Sequence, residues 1–193
     1  GRVHTFGRIE NGRFTQYDQQ SGSVAEMLGL PESESLVRRF QQGEFIIIYL
    51  SPQDYHRVHS HDDGNIQSLS YFPGKLWPVF PAATRSIPHL FDRNERLVFE
   101  IHHPLRSSTS TIALIGAFGV GRMTAAWAPV ITNNKEPQKS VEIESSIQRG
   151  IELGRFELGS TVVLFFEPGQ IKEWLITEKQ AVRLGEKIAI CIT

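Results

Sequence analysis

"ELGSTVVLFF", Glu157–Phe166, reads as a buried strand with an unusual mouth. Val162–Phe166 is a continuous apolar, β-branched and aromatic run of strand length. A strand packed on both faces reads this way. The Gly159-Ser160-Thr161 tripeptide just before it has no purpose in a plain strand. Glycine is small and flexible, and its place directly before a serine at a strand mouth calls for a reason.

Working outward, "EFIIIYL" (Glu44–Leu50), "GNIQSLSYF" (Asn65 at its second position), "RLVFEIHH" and "STIALIGAFGV" are further strands, the last two separated by the polar loop "PLRSSTS". "MTAAWAPVI" is expected to be another, "NNKEPQKS" a loop, and "KIAICI" the closing strand. Asn11-Gly12 inside "RVHTFGRIENGRFTQY" predicts a hairpin. Ser23 with Glu26 three residues on predicts a capping box that opens a short helix, which Gly29 closes. A second short helix is expected in "ESLVRRFQQ", ending at Gly43. No segment supports a long helix. The expectation is α+β: predominantly antiparallel β, barrel-sandwich-like, with a few short helices. "FELGSTVVLFFEPG" followed by "AVRLGEKIAI" has the strand–turn–strand rhythm of barrel-sandwich carrier domains, taken here as a hint about fold only.

Composition narrows the function. The chain has 193 residues, 40% hydrophobic, which suits one domain with a sizeable core. Lys plus Arg is 20 against 21 Asp plus Glu, a net charge of −1, so no global basic field recruits nucleic acid. The one cysteine, Cys191, excludes an internal disulfide and, in its apolar run, is expected to be a buried structural thiol. No apolar run approaches the roughly 18–20 residues of a membrane span.

The second informative stretch is "YLSPQDYHRVHSHDDG", Tyr49–Gly64, with His56, His59 and His61 within six positions. Three readings stay open on the residues alone: a surface loop, a zinc site with Asp62 or Asp63 adding an oxygen, and acid–base work. His102 and His103 are adjacent and point to opposite faces of a strand.

These stretches carry a resemblance. "YLSPQDYHRVHS", "YFPGKLWPV", "LFDRNERLVFEI", "GAFGVGRM" and "GIELGRFELGSTVVLFFEPG" resemble, in order and spacing, the pyruvoyl-dependent phosphatidylserine decarboxylase family over nearly the whole chain. The resemblance implies a single catalytic domain, residues 1–193. It implies self-cleavage between Gly159 and Ser160, with the covalent pyruvoyl cofactor made from Ser160. His59 is implied as the base that activates the Ser160 hydroxyl. His56 is implied in proton transfer, or in positioning the carboxylate, once the lipid is bound. The ketone would hold the amine of phosphatidylserine and accept the electron pair released with carbon dioxide, giving phosphatidylethanolamine. No metal is called for.

The implied partners are phosphatidylserine, a membrane surface, and the chain's own cleaved segment Ser160–Thr193. A homodimer is a further candidate. The implied location is peripheral, on the inner membrane of a bacterium or mitochondrion. Trp77 and Phe80, between Pro78 and Pro81, are one candidate for membrane contact; core packing is the other account of them. Two departures stand out. The family's processing Asp would precede Gly1, so the chain is expected to be cut short at its N-terminus. Phe118 and Arg122 replace small or polar residues. Core filling at Phe118 and a surface place for Arg122 are the plain readings, an altered acyl-chain or head-group pocket the sharper one. Arg93, Glu95 and Arg96 are expected in a solvated turn, with the resemblance adding a structural role for Asn94 and Glu95. Two other functions compete: a non-processing homologue serving as a lipid-binding or scaffolding module, and a pyruvoyl decarboxylase of a soluble amino acid.

Overall fold

A computed structural model describes residues 1–17, 20–79, 83, 86–120, 122–130, 132 and 137–192. Phe80 and Pro81 of the aromatic loop lie outside the described residues. The elements run β1 (Arg2–Arg8), β2 (Arg13–Tyr17), β3 (Gln20–Ser23), α1 (Val24–Leu28), α2 (Ser35–Arg39), β4 (Glu44–Leu50), β5 (Arg57–His59) and β6 (Gly64–Phe72). They continue with α3 (Leu90–Arg93), β7 (Arg96–His103), β8 (Ser108–Ile115), β9 (Met123–Ala125), β10 (Lys139–Ile147), β11 (Glu152–Phe156), β12 (Ser160–Phe166), β13 (Ile171–Trp174) and β14 (Ala189–Cys191).

The frame is a seven-stranded antiparallel sheet in the order β1-β4-β12-β8-β7-β6-β10. Its centre is β8, buried at every residue. Alternate residues of the apolar runs serve two cores. Phe45, Ile47, Val163 and Phe165 face one side, where Phe14 and residues of α1 and α2 join them. Ile46 and Phe166 face the other, packed with Val3, Ile176 and Val182. Covering both faces is why these strands lack polar alternation. The architecture is α+β and mainly sandwich-like. Among the described residues the large sheet is open, not a closed barrel.

The first short helix follows its local signals, whereas α2 ends at Arg39, capped by Phe40, ahead of the expected Gly43. Ser23 Oγ accepts from the Glu26 amide and Gly29 ends α1 at φ 64°. The turn at Asn11-Gly12 forms with both residues at positive φ, but its arms part: β1 pairs with β4, and β2 with β3. The wider edge of β4 offers β1 a longer partner than the local hairpin does. "MTAAWAPVI" contributes only the three residues of β9. The strands β5, β10, β11 and β13 carry weaker apolar signals and do not stand out in the sequence. β10 lies at the sheet edge with most residues exposed or half-exposed.

Three side-chain expectations are corrected. "DRNER" is only in part a solvated turn: Arg93 is exposed, as expected, but Asn94, Glu95 and Arg96 are buried. Asn94 Nδ2 donates to the carbonyls of Trp77 and Gly116, its Oδ1 accepts from the Trp77 amide, and Tyr71 donates to Glu95. Local polarity marked the turn, but its groups are turned inward to satisfy loop backbone that the fold buries. Phe118 fills no core and is 80% exposed, because the tight turn at Gly119 (φ 82°) directs it outward. Cys191 is only half-buried, since β14 belongs to a two-stranded ribbon rather than the main sheet.

Candidate active site

A second sheet, β5-β11-β9, adjoins the first through two short connections. Residues 51–56 lead from β4 to β5, and residues 157–159 lead from β11 to β12. Both connections converge on the mouth of β12, where Ser160 pairs with Leu50. Asp54 shapes the first: its carboxylate accepts from the Ser51 amide and hydroxyl at 2.7 and 2.8 Å. Burial works against ionisation there, but these bonds outweigh it and hold the carboxyl below its ordinary value.

Gly159 sits where no side chain fits. A Cβ would lie 2.8 Å from the Leu50 carbonyl oxygen and 3.0 Å from the Pro52 nitrogen, both main-chain atoms. Ser160 is fully buried, and its hydroxyl donates to the Ile115 carbonyl at the end of β8. The sequence signal at Gly-Ser is therefore a steric one: this backbone crossing admits glycine alone.

The two histidines of "DYHRVH" have different surroundings. His56 Nε2 accepts from the Gly159 amide at 3.1 Å and lies 3.2 Å from the Pro52 carbonyl. Its Nδ1 is buried with no hydrogen-bond partner. His59, on β5, bonds through Nδ1 to the Gly150 carbonyl at 2.7 Å and through Nε2 to the Tyr55 hydroxyl at 2.8 Å, with the two rings stacked. Thus His56 meets the Gly159–Ser160 segment directly, while the polar partners of His59 lie elsewhere. Tyr55 is a site residue that sequence reasoning passed over. Its spacing of four from His59 was the available signal.

His61 leaves this group. It packs edge-on against His103 and Phe166, and burial drives its pKa down to about 3, with the charges of His103, Arg106 and Arg149 adding to the effect. His103 is lowered as well, chiefly by burial. His56, His59 and His61 form no metal-binding cluster among the described residues.

The rim carries exposed apolar groups. Leu158 N donates to the Val120 carbonyl at 2.9 Å and Glu157 N to the Arg122 carbonyl at 3.0 Å. Phe118 and Leu158 are both exposed on this side, and Arg122 is a surface residue. Trp77 is half-buried, with the Arg93 guanidinium over its ring at 4.5 Å. No helix among the described residues is long and apolar enough to cross a membrane.

A buried serine behind a glycine, with histidines on the adjoining loop, makes this an antiparallel β protein with a serine–histidine site at a sheet junction. Comparison with known proteins gives the class a family. The phosphatidylserine decarboxylase model matches residues 1–190. The chain is 38% identical over 194 residues to the phosphatidylserine decarboxylase proenzyme of Anaeromyxobacter sp. (strain K), covering 97% of this chain and 67% of that one. It is 39% identical over 194 residues to the proenzyme of Myxococcus xanthus (98% and 67%) and 35% over 200 residues to that of Bordetella pertussis (98% and 65%). The chain belongs to the phosphatidylserine decarboxylase family, an enzyme family. It spans about two thirds of the length of these relatives.

Proposed function

We propose that residues 1–193 form the catalytic domain of an enzyme that cuts itself between Gly159 and Ser160 and decarboxylates phosphatidylserine to phosphatidylethanolamine. The observation that carries this reading is the backbone crossing at Gly159, where only glycine fits and a buried serine follows. The Ser160 hydroxyl attacks the Gly159 carbonyl carbon, the peptide nitrogen leaves, and an ester forms. β-Elimination then releases Gly159 as a carboxylate and leaves dehydroalanine. Tautomerisation and hydrolysis release ammonia and yield the pyruvoyl group.

A buried Ser160 at the head of β12 and a Gly159 without a side chain fit such a group. Once formed, it supplies a ketone that can hold the substrate amine and accept the electron pair released with carbon dioxide. His59 is the proposed base for Ser160; it must exchange its bond to Tyr55 for one to the hydroxyl, which must itself turn from Ile115. Tyr55 acts as a positioning residue for that imidazole. His56 holds the Gly159 amide before cleavage. Release of the Gly159 end frees its Nε2, which can then carry a proton at the lipid.

The resemblance puts an Asp before Gly1. Arg2 pairs with Tyr49, and Tyr49 with Thr161, so a residue preceding Gly1 would carry β1 toward the level of Gly159, beside the β4–β5 turn. That geometry supports an upstream carboxylate that steadies the histidines. Phe118 and Leu158, exposed beside the mouth, suit contact with the bilayer from which the lipid enters.

Denaturing electrophoresis and intact mass of the protein with its upstream residues test this. Two chains are expected, the second beginning at residue 160 with a blocked N-terminus. Ser160→Ala and His59→Ala should each remain one chain. His56→Ala should still cut but release carbon dioxide from phosphatidylserine ~10²–10⁴-fold more slowly. A wild type that stays intact on prolonged incubation, with the upstream Asp present, rules out the pyruvoyl reading.

A further inference from the structure

Away from Ser160, three titratable side chains with no part in that chemistry come together across the fold. Glu26 lies on α1, His89 precedes α3, and Asp92 lies within α3. Each offers one ligand atom, and these atoms lie within 4.8 Å of one another. His89 Nδ1 is 3.1 Å from Glu26 Oε2 and 3.4 Å from Asp92 Oδ2. Two oxygens and one nitrogen around a tetrahedral ion, with bonds of about 2.1 Å, stand about 3.4 Å apart. Both separations to the imidazole match that edge.

The independent observation is Asp92 itself. Its side chain is 2% exposed. Oδ1 accepts from the buried Gln16 amide at 2.9 Å. Oδ2 accepts no hydrogen bond and is turned toward His89. A buried carboxylate oxygen with no hydrogen bond, whose one close partner is an imidazole nitrogen at 3.4 Å, is costly unless something compensates it.

The nearest cation, Arg96, does not reach it. Its guanidinium is spent on main-chain carbonyls: Nε on Met27 at 2.7 Å, Nη1 on Asp92 and Asn94 at 2.7 and 3.2 Å, and Nη2 on Glu26 at 2.7 Å. Arg96 thus knits the backbone of α1 to that of α3 and leaves both carboxylates pointing at the imidazole. Gln16 fixes the buried carboxylate from behind, as outer partners of metal ligands do. The exposed Glu26 and half-exposed His89 leave the outer side open to water.

We propose that Glu26, His89 and Asp92 bind one divalent transition-metal ion. One imidazole and two carboxylates favour zinc or manganese over calcium or magnesium, which take oxygen alone. The ion clips α1 to α3, and its role is structural, separate from the proposed lipid reaction. The competing account is an imidazolium held between two carboxylates with no metal.

The test strips the full chain with chelator, then titrates it with zinc chloride at pH 7.5, following heat of binding and thermal unfolding. Cobalt(II) absorption provides a spectroscopic readout of the ligand field. One ion per chain is expected, with a melting temperature raised by roughly 5–10 °C at a hundredfold excess over Kd. His89→Gln and Asp92→Asn should each weaken binding at least tenfold. His89→Gln changes a partly exposed side chain and keeps the test valid if Asp92→Asn fails to fold. No saturable one-to-one binding in the wild type, or undiminished binding in either folded variant, overturns the proposal.

Discussion

His61 shows how position in the fold, more than residue type, decides chemistry. It stands two residues from His59 but belongs to a packing cluster with His103 and Phe166. Burial and the positive charges of Arg106 and Arg149 keep its ring neutral, with a pKa of about 3 against the ordinary 6.5. In the unfolded chain that ring binds a proton below about pH 6.5. Between those two values the unfolded state holds more protons, so stability rises with pH through the window. The contribution is complete above pH 6.5 and declines as pH falls toward 3. His103, also lowered, works in the same direction. Thermal unfolding of wild type should therefore lose about 1 kcal/mol between pH 7 and pH 5.5, at one pKa unit per 1.36 kcal/mol. His61→Phe, which keeps an aromatic edge against Phe166, should flatten that slope; an unchanged slope would remove His61 as its source.

The decisive contact between elements is the close approach of β12's mouth to the β4–β5 turn. Leu50, Ser51 and Pro52 present main-chain atoms at 2.8–3.0 Å to any Cβ at position 159. Backbone cannot swing aside as a flexible side chain can. Gly159→Ala should cost about 1–3 kcal/mol of stability, an overpacking effect, and should slow the proposed self-cleavage by displacing the Gly159 carbonyl from the Ser160 hydroxyl. Chemical denaturation and the rate of chain separation measure the two effects. An alanine variant as stable and as rapidly cut as wild type would mean the turn is loose. The sequence singled out Gly159, yet it could not say what crowds it. That depends on β4 and β12 being neighbours, a pairing between residues more than a hundred positions apart.

At the scale of the molecule, Leu158, two residues before the buried Ser160, and Phe118 are exposed large apolar side chains. On the proposed reading, a lipid whose head group reaches Ser160 while its chains stay out of water needs such apolar groups nearby. The double variant Phe118→Ser, Leu158→Ser should bind phosphatidylserine vesicles at least about tenfold more weakly, because burying even one large apolar side chain contributes about 1.5–3 kcal/mol. Turnover of a dispersed short-chain substrate should be unaffected. Equal vesicle binding by variant and wild type would move the bilayer contact elsewhere on the surface, with Trp77 the next aromatic to test.

Much was determined by the sequence itself. The apolar runs Glu44–Leu50 and Val162–Phe166 read as buried strands; the first appears with those bounds, and the second lies within β12, which starts two residues earlier at Ser160. Ser23 and Gly29 bound α1 because cap chemistry is local. The motifs around His56, His59 and Gly159-Ser160 were enough to indicate the family. Tertiary structure decided what depends on distant partners. It parted the arms of the Asn11-Gly12 turn, turned Asn94, Glu95 and Arg96 inward, pushed Phe118 out, and gave His56 rather than His59 the contact with Gly159. It also drew Glu26 to His89 and Asp92. Periodicity and capping act over a few residues and are written in adjacent letters. Which backbone crosses which, and what each crossing leaves buried or exposed, is set by long-range strand pairing, which neighbouring letters do not record.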